Sequence, residues 1–150
     1  MFDLLLRHIN AEQYAAHVYA HIASWADAQG FMGLRDWADD AATEEQQHAK
    51  VFIDYARTRG AVVMRPIASP PAIGGYAEAL RIALEVEQAV ARSLQELASF
   101  SDTDDATETI AGDYLLKEQW PAIHFLEQAL KKIQRGSHID FLDSVLFEEA

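Results

Sequence analysis

The sequence predicts an all-α protein: a four-helix bundle with one long crossover and a short fifth helix. Only seven of the 150 residues are glycine and four are proline, so long helices can run without a breaker. Apolar residues recur at helical spacing in four long segments, and a breaker-rich segment, residues 60–75, separates the second from the third. This length suits one domain, expected over 1–150, with the bundle at about 2–135 and the short C-terminal helix at about 139–149.

The first two helices are predicted on either side of a tight turn. Helix one is expected over about Phe2–Gln29 and helix two over about Leu34–Arg59, because apolar residues line one face of each. Gly30 begins the turn, and Gly60 is a typical residue to end helix two. The two faces contain Leu5, Ile9, Glu12, Ala16, Tyr19 and Ala23, and then Leu34, Trp37, Ala41, Phe52 and Tyr55 around Glu45 and His48.

The last two long helices follow the crossover. Helix three is expected over about Tyr76–Phe100 and helix four over about Asp104–Arg135, ended by Gly136. Pro121 lies inside helix four, where it removes one backbone hydrogen bond and should kink the helix. The two faces contain Leu80, Ala83, Glu87, Val90, Leu94 and Leu97, and then Leu115, Gln119, Ala122, Leu126 and Leu130.

Connection lengths predict how the helices are arranged. Helices one and two share a tight turn and so do helices three and four, so each pair is antiparallel. A crossover of about fifteen residues can reach about 50 Å, whereas a helix of about 26 residues is roughly 39 Å long. The crossover can therefore run the whole length of the bundle, which leaves helices two and three parallel.

Five polar residues interrupt the apolar faces at one level of this bundle. Counted from the turns that join the helices, Glu12, Glu45, Glu87 and Gln119 lie at similar heights, and His48 forms a Glu-x-x-His pair with Glu45. Three carboxylates in one buried layer repel one another strongly in a low dielectric, and two divalent cations would compensate that repulsion. Oxygen-rich ligation with one imidazole suits iron or manganese better than structural zinc.

A structural interpretation of the same residues must be weighed against the metal site. A lone Glu-x-x-His pair is common on solvated helix faces, and Tyr19 is, by position alone, a core tyrosine whose hydroxyl finds a partner. Glu85 is expected to face solvent, whereas Glu44 and Glu118 flank the layer, where solvent can reach them. The agreement of face and height across four helices nevertheless favours the metal site. Surface or ordinary packing roles are expected for His17, His21, His124 and His138.

Composition restricts the classes of partner. The net charge of −12 argues against nucleic acid and favours cations near the surface. The chain has no cysteine, which excludes disulfides and thiolate metal sites. The first residues lack a basic segment and a long apolar run, and no stretch approaches the length of a membrane span. We therefore expect a cytoplasmic protein with neither a nucleic acid nor a membrane as partner.

The motifs resemble the ferritin family from about Asn10 to the end of the chain. One segment in each predicted helix is similar to the corresponding long helix of ferritins: N-A-E-Q-Y-A-A-H-V-Y, T-E-E-Q-Q-H-A-K, L-E-V-E-Q and K-E-Q-W-P-A. The fourth segment resembles the fourth helix of H-type ferritins in particular. Gln46 stands where a bacterioferritin carries a methionine that binds haem, so no haem is expected. The resemblance implies iron ligation by Glu12, Glu45, His48 and Glu87, with Gln119 as a weak ligand or hydrogen-bonding group and Tyr19 as the catalytic tyrosine.

The resemblance also implies a function. The chain would be a ferroxidase subunit of an iron-storage cage, a 24-mer of identical subunits, in which dioxygen or peroxide oxidises two iron ions per subunit. One alternative is a diiron peroxidase or oxygenase that keeps its metals permanently, and another is a shell subunit without oxidation activity. The complete ligand set argues against the shell-only role, and the weak second site argues against a permanent cofactor.

The segment after Gly136 is predicted to be an amphipathic helix. Its apolar side carries Ile139, Leu142, Val145 and Leu146. Four helices already close the core of the bundle, so this side needs burial against neighbouring subunits or against the end of its own bundle.

Overall fold

The computed structural model describes residues 2–61, 68–100, 103–145 and 147, and it confirms the all-α bundle. Its helices are α1 (Phe2–Gln29), α2 (Met32–Thr58), α3 (Tyr76–Ser99), α4 (Asp105–Tyr114), α5 (Trp120–Gln134) and α6 (Ile139–Val145), with a π-helical segment at Leu115–Gln119 between α4 and α5. No strand occurs in these residues. Residues 62–67 of the predicted crossover, Leu146 and the last three residues lie outside the described ranges.

The helix ends follow the local chemistry of the sequence. Gly30, Gly60 and Gly136 adopt positive φ angles of 82°, 78° and 89°, a conformation that costs glycine nothing and ends a helix. The Asp104 side chain caps α4 by accepting a hydrogen bond from the Thr107 amide at 2.8 Å. Residues 30, 60 and 136 therefore end the helices where predicted.

The core lies inside the bundle and takes buried side chains from all five helices α1 to α5. Helix α1 packs along α2 and α3, and α3 also packs along α4 and α5. Every residue predicted on the inner faces of α1 and α3 is buried. On α2 the prediction is only partly right, because Trp37, Ala41 and Tyr55 are half-buried. Four alanines of α2 that were not predicted on this face are buried, Ala38, Ala42, Ala49 and Ala56.

The fourth predicted helix departs from regular α geometry immediately before Pro121. The Trp120 amide donates to the carbonyl of Leu115, five residues earlier. Proline lacks an N–H, and its ring clashes with the carbonyl four residues earlier in a regular helix. A wider turn at this point relieves that clash. Leu115 and Gln119 are buried, as predicted, while Leu116 and Trp120 are exposed.

Helix α6 folds back onto its own bundle. The buried carboxylate of Asp143 accepts hydrogen bonds from the amides of Gly33 (3.0 Å) and Leu34 (2.9 Å) at the start of α2, and from the Tyr76 hydroxyl at 2.9 Å. A Cβ on Gly33 would collide with the carbonyl oxygen of Asp143, so only glycine fits there. Leu142 is buried on the bundle.

The predicted apolar side of this helix is only partly buried. Ile139 is half-buried, whereas Val145 is exposed, as is Phe141 on another side of the helix. Within the described residues, no helix combines the length and the apolar character needed to cross a membrane.

Candidate metal centre

Three potential ligands meet between the middles of α1 and α2. Glu12, Glu45 and His48 each offer a ligand atom, and these atoms all lie within 4.8 Å of one another. The Nδ1 atom of His48 lies 3.3 Å from Oε2 of Glu45 and 3.9 Å from Oε2 of Glu12. The spacing of three residues in the Glu-x-x-His pair places both side chains on the same face of α2. The arrangement offers carboxylate oxygen and imidazole nitrogen to one cation.

Two further predicted residues complete a buried polar layer. Glu87 enters from α3, close enough to Glu45 for the two carboxyl groups to interact directly, and it accepts a hydrogen bond from the Tyr19 hydroxyl at 2.5 Å. Gln119 comes from the π-helical segment and is 1% exposed. Tyr19, Glu45, His48, Glu87 and Gln119 all line one cavity of about 500 Å³.

Burial changes the protonation of the three carboxyl groups. Desolvation, the largest cause, raises the pKa of Glu12 to about 7 and that of Glu45 to about 8. The pKa of Glu87 is raised well above its ordinary value, first by burial and then by repulsion from Glu45. Without a cation these groups therefore retain protons near neutral pH, and a divalent ion must displace them to bind.

Several buried oxygen atoms of the layer have no hydrogen-bond partner in the described part of the chain. They are both carboxylate oxygens of Glu12, Oε2 of Glu87 and Oε1 of Gln119. A buried polar atom left without a partner costs about 1–3 kcal/mol. Such atoms in one layer fit a set of donors for a cation, and they fit a purely structural hydrogen-bond network poorly.

Sequence reasoning missed His8, one turn before Glu12 on α1. This side chain is fully buried, and its Nε2 lies 3.1 Å from Oε1 of Glu12. Burial lowers the pKa of His8 to about 3, so the contact joins a neutral imidazole to a carboxyl group and is no ion pair. The spacing of four residues places both on one helix face, which was the available signal.

An acidic mouth connects the cavity to the surface. Its exposed rim carries Asp36, Asp40, Glu44 and Glu118, so solvent reaches both glutamates that flank the layer. Aromatic side chains form the opposite wall, where Trp37 packs on Phe125 and Phe147. Tyr114 lies edge-on to His48 with ring centroids 4.9 Å apart. This tyrosine was not singled out from the sequence.

Glu85 and four histidines were predicted to have no role in the metal site. Glu85 is exposed, as expected. Of the histidines expected at the surface or in ordinary packing, His21 is half-buried and three are exposed, His17, His124 and His138.

A family model described as a ferritin-like domain matches residues 2–136. The chain belongs to the ferritin family. It is 30% identical to a ferritin of Pacifastacus leniusculus over 138 residues, which cover 87% of this chain and 76% of that one. It is 28% identical to a bacterial non-heme ferritin of Staphylococcus saprophyticus over 148 residues, or 97% and 83% of the two chains.

Solved structures agree with the sequence comparisons. The open-pore ferritin of Archaeoglobus fulgidus superimposes with a TM-score of 0.86 at 28% identity, covering 98% of this chain and 95% of that one. Ferritins store iron, so this ferritin is an iron-storage subunit of a metal-binding helical-bundle family.

Proposed function

We propose that this ferritin oxidises Fe(II) at an intrasubunit pair of sites and stores the product as ferric mineral inside a cage of identical subunits. The observation that carries the proposal is the buried cluster of Glu12, Glu45 and His48, with ligand atoms within 4.8 Å of one another. Glu87 and Gln119 extend this cluster into the cavity. Iron is the substrate of this reaction and the cargo of the cage.

The donor set divides into two unequal sites. Glu12, Glu45 and His48 would hold the first iron, and Glu45 would share its second oxygen with an iron held by Glu87. Gln119 offers the second site only a neutral amide oxygen, which binds a cation more weakly than a carboxylate does. This inequality favours release of the oxidised ion toward the mineral over permanent retention.

The redox step balances with a dioxygen co-substrate. Each Fe(II) gives up one electron, and the two electrons together with two protons convert dioxygen to hydrogen peroxide. Peroxide can in turn accept two electrons from another pair of Fe(II) ions together with two protons, which gives two molecules of water. Tyr19 would orient Glu87 through its hydrogen bond, and the resemblance to the family implies that it can also supply an electron.

The remaining features of the proposal come from the family. The chain would act as one domain over residues 1–150, assemble into a 24-mer like an H-type ferritin, carry no haem and reside in the cytoplasm. An open-pore ferritin is among the solved structures that superimpose on this chain, and this supports self-assembly.

Successive aerobic additions of Fe(II) to the purified protein test the proposal, with native mass measurement and electron microscopy of the product. We expect a cage-sized particle that turns over repeatedly and retains far more iron than two ions per subunit. A small particle that saturates at two ions per subunit would instead indicate a redox enzyme with a permanent metal cofactor. A cage that fails to accelerate oxidation would indicate a shell-only subunit.

A further inference from the structure

We infer that His8 is a positioning residue for Glu12: its imidazole holds the carboxylate in the orientation that receives the first metal ion. The inference rests on the proposed function, because it takes Glu12 as a ligand. His8 Nε2 lies 3.1 Å from Glu12 Oε1, and both atoms are completely buried. Neither has a well-aligned hydrogen-bond partner in the described part of the chain.

The ring of His8 is held on its other sides. Its Nδ1 lies 2.7 Å from the Ser93 hydroxyl on α3, and its edge meets the ring of Phe52 on α2 with centroids 4.3 Å apart. Contacts from two other helices therefore fix the ring beside Glu12. A buried histidine locked in this way is an expensive choice for a position that a leucine could fill, unless its free nitrogen has a role.

The chemistry of the ring suits that role. Ser93 can accept a hydrogen bond from Nδ1 or donate one to it, because its hydroxyl has both functions. The Ser93 hydroxyl also lies 2.8 Å from the carbonyl of Val90, to which it can donate instead. The role of His8 requires the hydroxyl to donate to Nδ1, because the neutral ring then presents Nε2–H to Glu12. Hydrogen bonds at reaction sites are often poorly aligned until the site is filled. A metal ion on Oε2 would leave Oε1 of Glu12 for His8.

Such outer partners typically change metal affinity about 10–100-fold. We therefore expect His8→Leu to weaken binding of Co²⁺, added alone and without oxygen, by about 10–100-fold at the first site. The visible absorption of the bound Co²⁺ should also change, because the ligand field depends on the position of Glu12. His8→Gln, which keeps a side-chain N–H donor, should restore most of the affinity and the spectrum.

Two controls separate a positioning role from a structural one. Leu97→Ala removes a fully buried side chain from α3 and should lower the melting temperature without changing Co²⁺ affinity. Glu12→Ala reports on the ligand itself. If Glu12→Ala weakens Co²⁺ binding and His8→Leu does not, the role of His8 is refuted while the proposed site stands. If Glu12→Ala has no effect, the assignment of the site fails, and the role of His8 fails with it.

Discussion

Single side chains account for most of the chemistry that we assign to this ferritin. Glu12, Glu45 and Glu87 lie where leucine or alanine would satisfy the packing of the bundle, and burial raises the pKa of each of them. The cost of these groups falls when a cation replaces their protons. The buried carboxyl groups therefore lower the stability of the metal-free form, and the same groups favour the binding of divalent ions.

The first prediction is that the metal-free protein loses stability as the pH rises from 6.5 to 8.5. The folded state holds protons on Glu12 and Glu45 up to pKa values of about 7 and 8, against 4.5 for the unfolded chain. A raised carboxyl pKa contributes stability that disappears as the pH rises through the folded value. His8, with a pKa lowered to about 3, acts in the opposite direction but only below pH 6.5, outside this window.

Thermal melts in chelator and in Zn²⁺ measure this effect. Zn²⁺ should raise the melting temperature more at pH 8.5 than at pH 6.5, and Glu45→Gln should reduce the difference. An equal effect of Zn²⁺ at both pH values would show that these carboxyl groups do not bind the ion.

The second prediction concerns the hydroxyl of Tyr19. Tyr19→Phe keeps the ring, which packs against Trp37 with centroids 5.4 Å apart, and removes only the hydrogen bond to Glu87. We expect Fe(II) oxidation to slow about tenfold with little change in stability, because the second-site carboxylate loses its orientation. Tyr14→Phe, a half-buried tyrosine on the same helix, should leave stopped-flow traces unchanged. If the Fe(II) oxidation traces of the two variants are equal, the hydroxyl of Tyr19 has no role in the reaction.

At the scale of elements, one residue of the buried layer lies in irregular backbone. The π-helical segment Leu115–Gln119 carries the amide of Gln119, which lines the same cavity as Glu45 and Glu87, and Pro121 follows two residues later. Segments of this type occur frequently at functional sites. Helix α6 is held by one carboxylate at the N-terminus of α2, where backbone amides and the helix dipole favour a negative group.

The third prediction tests the amide that this segment supplies. Gln119→Glu should tighten the second site, because a carboxylate replaces a neutral oxygen, and should slow the release of iron toward the mineral. Repeated Fe(II) additions would then show a normal first turnover and slower later ones. Gln128→Glu, on the following helix, is the matched control. Unchanged later turnovers in the Gln119 variant would place residue 119 outside the coordination sphere.

The fourth prediction concerns the attachment of α6. Asp143→Ala leaves two backbone amides and the Tyr76 hydroxyl without their acceptor, which should cost about 2–4 kcal/mol of unfolding free energy. Hydrogen exchange should increase in α6 and in the first turn of α2. Asp140→Ala, at an exposed position of the same helix, should change neither. A normal exchange pattern in the Asp143 variant would contradict the attachment.

At the scale of the whole molecule, periodicity and connection length were enough to predict the bundle. The polar residues Glu12, Glu45, Glu87 and Gln119 were found because each breaks an apolar face, and the structure brings them into one layer. Two features escaped prediction because they depend on contacts distant in sequence: the contact of His8 with Ser93 on α3, and that of Asp143 with Gly33, 110 residues earlier. The wide turn before Pro121 has a local cause, and a kink was predicted there instead.

The cavity beside the polar layer opens at an acidic surface. Exposed carboxylates form its rim, the polar layer lies below the rim, and Phe147, two residues after α6, borders the same cavity. The overall negative charge of −12 favours the approach of cations to every face of the subunit. We propose above all that Glu45, the buried carboxylate shared by the two candidate sites, serves both iron ions.

Stopped-flow oxidation of Fe(II) by Glu45→Ala, beside Glu44→Ala, tests that claim most directly. Glu45 is buried within the cluster, whereas its neighbour Glu44 is exposed at the rim, so the two variants lose the same group at adjacent positions. We expect Glu45→Ala to lose the fast phase, slowing oxidation by about 100-fold or more, while assembly and the rate of Glu44→Ala stay close to those of the unmodified protein. Oxidation by Glu45→Ala at the unmodified rate would contradict the claim.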